Sequence, residues 1–113
     1  MRKLKLTKIL EYYDVPQLFV AEDASGVSYL CLLYDIEDDG ELKVLGVATS
    51  SSKLDDFVEG QIDLLSMFEN PEKKTSIYDI IMAEDSIYAK HFMGDIDKTM
   101  LPDKGYFYHN SLV

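Results

Sequence analysis

The chain has 113 residues, 47% of them hydrophobic and 12% aromatic, with 21 acidic against 11 basic residues and a formal charge of −10. That length supports one hydrophobic core, so a single domain over residues 1–113 is expected, and the hydrophobic content is far from that of a disordered chain. Binding to phosphate backbones or anionic lipids needs clustered Lys and Arg, so the charge balance argues against direct nucleic-acid binding and against membrane docking.

The N-terminus is basic: Arg2, Lys3, Lys5 and Lys8 precede the first acid, Glu11, whereas residues 9–72 hold fifteen Asp or Glu against Lys43 and Lys53. Glu11, Asp14 and Pro16 interrupt the apolar run that a signal peptide requires, and nowhere do about 18 apolar residues follow one another to span a bilayer. A cytoplasmic location is the expectation. Leu4 and Leu6 alternate with Lys as in a strand, and residues 18–21 after Pro16 form a second one. Ala24, Ser25 and Gly26 supply a turn before the apolar run at 29–34, and Asp39-Gly40 is a tight-turn pair joining residues 34–36 to 42–47. An N-terminal antiparallel meander results. The lone Cys31 sits inside the apolar run, so a buried, inert thiol is expected.

From Thr49 the spacing turns helical. Leu54, Phe57 and Val58 share one side, with Lys53, Asp55, Asp56 and Glu59 on the other; Ser52 is the expected N-cap, supported by Asp55, and Gly60 the stop. Asp63 caps a second short helix, with Leu64, Leu65, Met67 and Phe68 as its apolar stripe and Asn70-Pro71 as its end. Residues 75–82 are rich in β-favouring side chains, and 84–93 are assigned to a further strand. The predicted fold is therefore α+β: an antiparallel sheet of about five strands with one or two short helices on one face.

Few residues point to chemistry. Asp35, Glu37 and Asp39 alternate before Gly40 as oxygen ligands do in a calcium loop, but the twelfth position is Gly46 and the flanks are strands, so a solvated hairpin tip is the better account. His91 and His109 belong to no catalytic or zinc motif, and the adjacent acids Asp55-Asp56 and Glu84-Asp85 suit a solvated face. No catalytic residue, metal ligand or cofactor is assigned. Eight tyrosines without a tryptophan supply amphipathic rings, of which Tyr12, Tyr13, Tyr106 and Tyr108 are candidate contacts.

The stretches PQLFVAED at 16–23, YLCLL at 29–33, DDFVEGQIDL at 55–64 and FENP at 68–71 resemble a family of small, uncharacterised bacterial or phage-related domains. The resemblance covers about residues 9–72 and implies no activity or catalytic residue.

The expected function is a small acidic protein-interaction module, including the inhibitor or immunity type, that presents Glu37, Asp38, Asp55, Asp56 and Glu59 to a basic surface of another protein. A single-sign field of this kind speeds association with an opposite charge. The alternatives are a regulatory domain binding a small ligand or cation between sheet and helices, recognisable by a concave site with converging polar groups, and an enzyme, recognisable by a histidine bonded to Ser, Cys or a carboxylate.

Overall fold

The computed structural model describes residues 2–69, 77–83, 86–92 and 100–108. Six strands follow one another: β1 (Arg2–Tyr13), β2 (Val15–Asp23), β3 (Ser28–Ile36), β4 (Leu42–Thr49), β5 (Ile77–Ala83) and β6 (Ser86–His91). Two helices, α1 (Ser51–Val58) and α2 (Leu64–Glu69), lie between β4 and β5. Each strand pairs antiparallel with its neighbour in sequence, and β1 pairs with β6, so the strands close into an up-and-down barrel.

This corrects the expected open α+β sheet of about five strands. Burial is two-sided in β2 and β3, where alternation disappears: Leu18, Phe19, Val20 and Ala21 are all buried, as are Tyr29, Leu30 and Cys31. A strand buried on both faces reads as a continuous apolar run. Inward residues Phe19, Ala21, Tyr29, Cys31, Val44 and Ile80 fill the barrel with Leu4, Ile87 and Ala89. Outward residues Leu18, Val20, Leu30, Leu45 and Val47 form a second core beneath Phe57 of α1 and Leu64, Met67 and Phe68 of α2.

The barrel interior is tight at Gly46. Gly46 of β4 faces inward beside Ile80, and a Cβ built there collides with the Ile80 Cδ1 methyl and lies 3.1 Å from its Cγ1. Among the described residues closure is brief: β1 pairs with β6 through Arg2, Lys3 and Leu4, opposite Ala89, Tyr88 and Ile87. Beyond Leu4 the β1–β2 hairpin continues, with register shifts around Thr7 and Leu10, to a turn at Asp14 whose φ is 62°.

The helix ends follow local hydrogen bonding. Ser50, not Ser52, caps α1: its Oγ accepts from Lys53 N–H at 3.2 Å, so the residue three beyond the cap is Lys53 and Asp55 has no capping part. At the other end Gly60 (φ 80°) donates to Phe57 O while Gln61 donates to Asp56 O, the paired bonds of a Schellman stop. Asp63 caps α2 as expected, its Oδ1 accepting from Ser66 N–H at 3.0 Å. β6 falls within the stretch assigned to a strand, and β5 starts at Ile77. Lys73-Lys74, Asn70-Pro71, Thr75, Ser76, Glu84-Asp85 and His109 lie outside the described residues. Among the described residues no helix is long and apolar enough to cross a membrane.

Candidate functional site

An up-and-down barrel gathers alternate connections at opposite ends, and here the two ends have opposite character. At the end where β1 begins, inward-facing polar side chains form a closed lock. Arg2 Nη1 donates to Tyr29 Oη at 3.0 Å, and Tyr29 Oη donates to Asp23 Oδ2 at 2.8 Å. Asp23 Oδ1 accepts from Ser25 N–H, Ser25 Oγ–H and Val27 N–H at 2.9, 2.7 and 3.1 Å. The Arg2 guanidinium lies 3.6 Å from Asp23 and over the ring of Tyr78, which stands edge-on to Tyr29 and stacks on His91 at 4.6 Å. Burial alone would raise the Asp23 carboxyl, but the bonds from Ser25, Tyr29 and Val27 outweigh it and hold the group at about 2. Burial and the Asp23 carboxylate push Tyr29 up to about 12.

Both shifts leave each group in its resting ionisation state at neutral pH, and among the described residues no buried side-chain polar atom lacks a hydrogen-bond partner. The cluster ties β1, β2 and β3 together at this end. His91 belongs to it as a stacked ring, and among the described residues it makes no hydrogen bond to Ser, Cys or a carboxylate. Cys31 is fully buried in the barrel, and burial pushes its thiol up.

The other end carries the β1–β2 and β3–β4 turns, and it is exposed. Tyr12 and Tyr13 stand 63% and 76% accessible at the hairpin tip. The tip is well formed: Tyr12 Oη donates to Asp14 O at 2.9 Å and Gln17 Nε2 donates to Tyr13 O at 3.0 Å. On the neighbouring turn, Gly40 (φ 89°) donates to Glu37 O, Asp39 Oδ1 accepts from Glu41 N–H and Asp35 Oδ1 accepts from Ile36 N–H. These bonds commit one oxygen each of Asp35 and Asp39 to the backbone of the hairpin tip. Glu37 and Asp38 are exposed, Lys43 Nζ lies 3.6 Å from Glu41 and 3.9 Å from Glu37, and Ile36 is 52% accessible. Between this turn and the β5–β6 connection is an open hollow of about 380 Å³ lined by Asp39, Gly40, Glu41, Ala83 and Ser86.

The candidate contacts therefore divide. Tyr12, Tyr13, Glu37 and Asp38 share one end of the barrel. Asp55, Asp56 and Glu59 are exposed on α1, on the flank. Tyr108 is a packing residue: its ring lies 5.9 Å from Phe57 and its Oη donates to Leu10 O. Tyr106 donates through Oη to Glu11, whose carboxyl burial raises, while its backbone O accepts from Leu64 N–H. Asp63 fastens the same segment by accepting from Gly105 N–H at 3.0 Å, and the bonds from Ser66 and Gly105 hold its carboxyl below the usual range. Two features were not anticipated. Ile36 ends β3, where its exposure carries no sequence signal, and the Arg2, Asp23 and Tyr29 cluster is assembled side chain by side chain across the β1–β2 and β2–β3 hairpins.

A family model described as "Family of unknown function (DUF6575)" matches residues 1–112, a wider span than the 9–72 resemblance. No curated protein matches the chain, and no solved structure does.

Proposed function

Because the chain belongs to this family of unknown function, we propose its role from the geometry: a small protein-interaction module, of the inhibitor or immunity type, that docks a basic surface of another protein through the exposed barrel end. The observation that carries this reading is the exposure of Tyr12 and Tyr13 at the same barrel end as an acidic turn, while the polar side chains Asp23 and Tyr29 of the other end are bonded to one another. Tyrosine is an effective anchor because a large amphipathic ring is ordered at low entropic cost, and a charged rim around such anchors steers a partner of opposite sign. The resemblance over about residues 9–72 supports a bacterial or phage-related origin, and a cytoplasmic setting belongs to the same proposal.

A photo-crosslinking side chain placed at Tyr13, and separately at Asp56 of α1, tests it in extract of the source organism. A discrete protein adduct is expected from position 13, competed away by unlabelled parent but not by a Glu37→Lys/Asp38→Lys variant. No adduct, or the same adduct from both positions with equal competition, would refute the assignment of this end.

A further inference from the structure

We propose that a second copy of this chain supplies a basic surface that fits the acidic end, namely the outer wall formed by β6 and β1; this rests on the reading above. Leu4, Ile87 and Ala89 point into the barrel, so Lys3, Lys5, Tyr88 and Lys90, which alternate with them, point out. α1 and α2 cover β2 to β4 and leave this wall open. All four side chains are exposed, and Lys3 stands opposite Tyr88 in the register. Lys8 extends the row along the outer face of β1, opposite outward-facing Val20.

The ion pairing is what makes the wall unusual. In a chain with 21 acids, the pairs among the described residues are Arg2 with Asp23 and Lys43 with Glu37 and Glu41. Glu22 faces Lys5 and Asp79 faces Lys90 in the register, but no ion pair closes there, and Asp79 instead accepts from Tyr34 Oη at 3.5 Å. Among the described residues no ion pair reaches Lys3, Lys5, Lys8 or Lys90, and Lys3 stands opposite the exposed Tyr88.

The acidic end complements this wall in two ways. Glu37, Asp38 and Glu41 supply opposite charge, and the Tyr12 and Tyr13 rings supply faces on which a lysine ammonium can rest. The net charge of −10 opposes approach at long range, but exposed charges are screened over about 8 Å at physiological ionic strength, so at contact the local match decides. A polyanion such as nucleic acid offers the wall charge but meets the same −10 without the aromatic complement. Because the two surfaces differ, the contact is head-to-tail and repeats from copy to copy.

Sedimentation velocity at low and high salt tests this on the parent, a wall variant (Lys3→Glu/Lys5→Glu/Lys90→Glu) and a tip variant (Glu37→Lys/Asp38→Lys), each shown to be folded by circular dichroism. The parent should self-associate at low salt and dissociate as salt rises, and each variant alone should associate at least tenfold more weakly. An equimolar mixture of the two variants should recover association, because each reversed surface then meets an opposite one. A parent monomeric at both salts, or variants that associate as the parent does, overturns the self-contact. If the Tyr13 adduct persists in that case, the acidic end still docks a different protein; if it too is absent, both readings fall. A labelled oligonucleotide bound by the parent and released by the wall variant would give the wall to a polyanion and overturn the proposal.

Discussion

Replacing Asp23 with Asn should loosen the barrel lock by an amount that disappears in acid. The substitution keeps the size and one acceptor oxygen but removes the charge that Arg2, Tyr29, Ser25 and Val27 address. A hydrogen bond to a charged group contributes about 1.5–3 kcal/mol, and several of these survive in weakened form, so a net loss of about 2 kcal/mol at pH 7 is expected. The carboxyl is held at about 2 in the native protein, below its ordinary 3.8. A depressed native value means the carboxylate's stabilisation is complete above the unfolded value and is lost as pH falls from about 4 through 2. With Arg2 half exposed to screening solvent, that titration carries about 1–2 kcal/mol. Thermal unfolding of parent and Asp23→Asn from pH 7 down to pH 2 measures it. The midpoints should differ by about 8 °C at neutral pH and converge towards pH 2. Equal midpoints at pH 7, or a gap that stays constant into acid, would refute the charge-assisted lock.

Gly46→Ala forces its new methyl against Ile80 inside a filled barrel and should cost about 1–3 kcal/mol in urea unfolding. Ser50→Ala removes the acceptor at the start of α1 and should cost about 1 kcal/mol, whereas Ser52→Ala should be nearly neutral by the same assay. Cys31 is buried with its thiol pushed up, so thiol reagents should label it only after denaturation; fast labelling of the native protein would contradict the barrel interior. Glu37→Ser with Asp38→Ser alters an exposed tip where surface pairs contribute little, and should move the melting midpoint by no more than about 2 °C.

Much of this architecture was legible residue by residue. The Asp39-Gly40 turn, the Gly60 stop and the Asp63 cap depend on bonds made within a few residues, and composition shows them directly. The closure was not legible, because it depends on Leu4 meeting Ile87 across nearly the whole chain and on three residue pairs that carry no local signature. The continuous apolar runs of β2 and β3 were correctly taken for strands, but their second buried face implied a barrel with a helical cover and not a one-sided sheet. A capping box has a sequence pattern and points to Ser52, while the choice among consecutive serines is made by where the chain leaves β4. For the candidate site, the tyrosine content and the adjacent turn point to Tyr12 and Tyr13, which stand exposed in the structure. Tyr106 and Tyr108 were grouped with them, although the latter pair is drawn onto β1 and α1 by Glu11, Leu10 and Phe57.

The short seam between β1 and β6 also sets an order on biosynthesis. β1 leaves the ribosome well before its closing partner β6, an interval of about 5–15 s at 5–20 residues per second. Through that interval the β1–β2 hairpin and its successors can stack in sequence, each strand beside the one just made. Only the leading edge waits, a row of open backbone groups of the kind that recruits neighbouring nascent chains into aggregates. Arg2, Lys3, Lys5 and Lys8 lie on that edge. Cations at such positions repel the same edge of another nascent copy, so the basic N-terminus of an otherwise acidic protein serves as its own guard until β6 arrives.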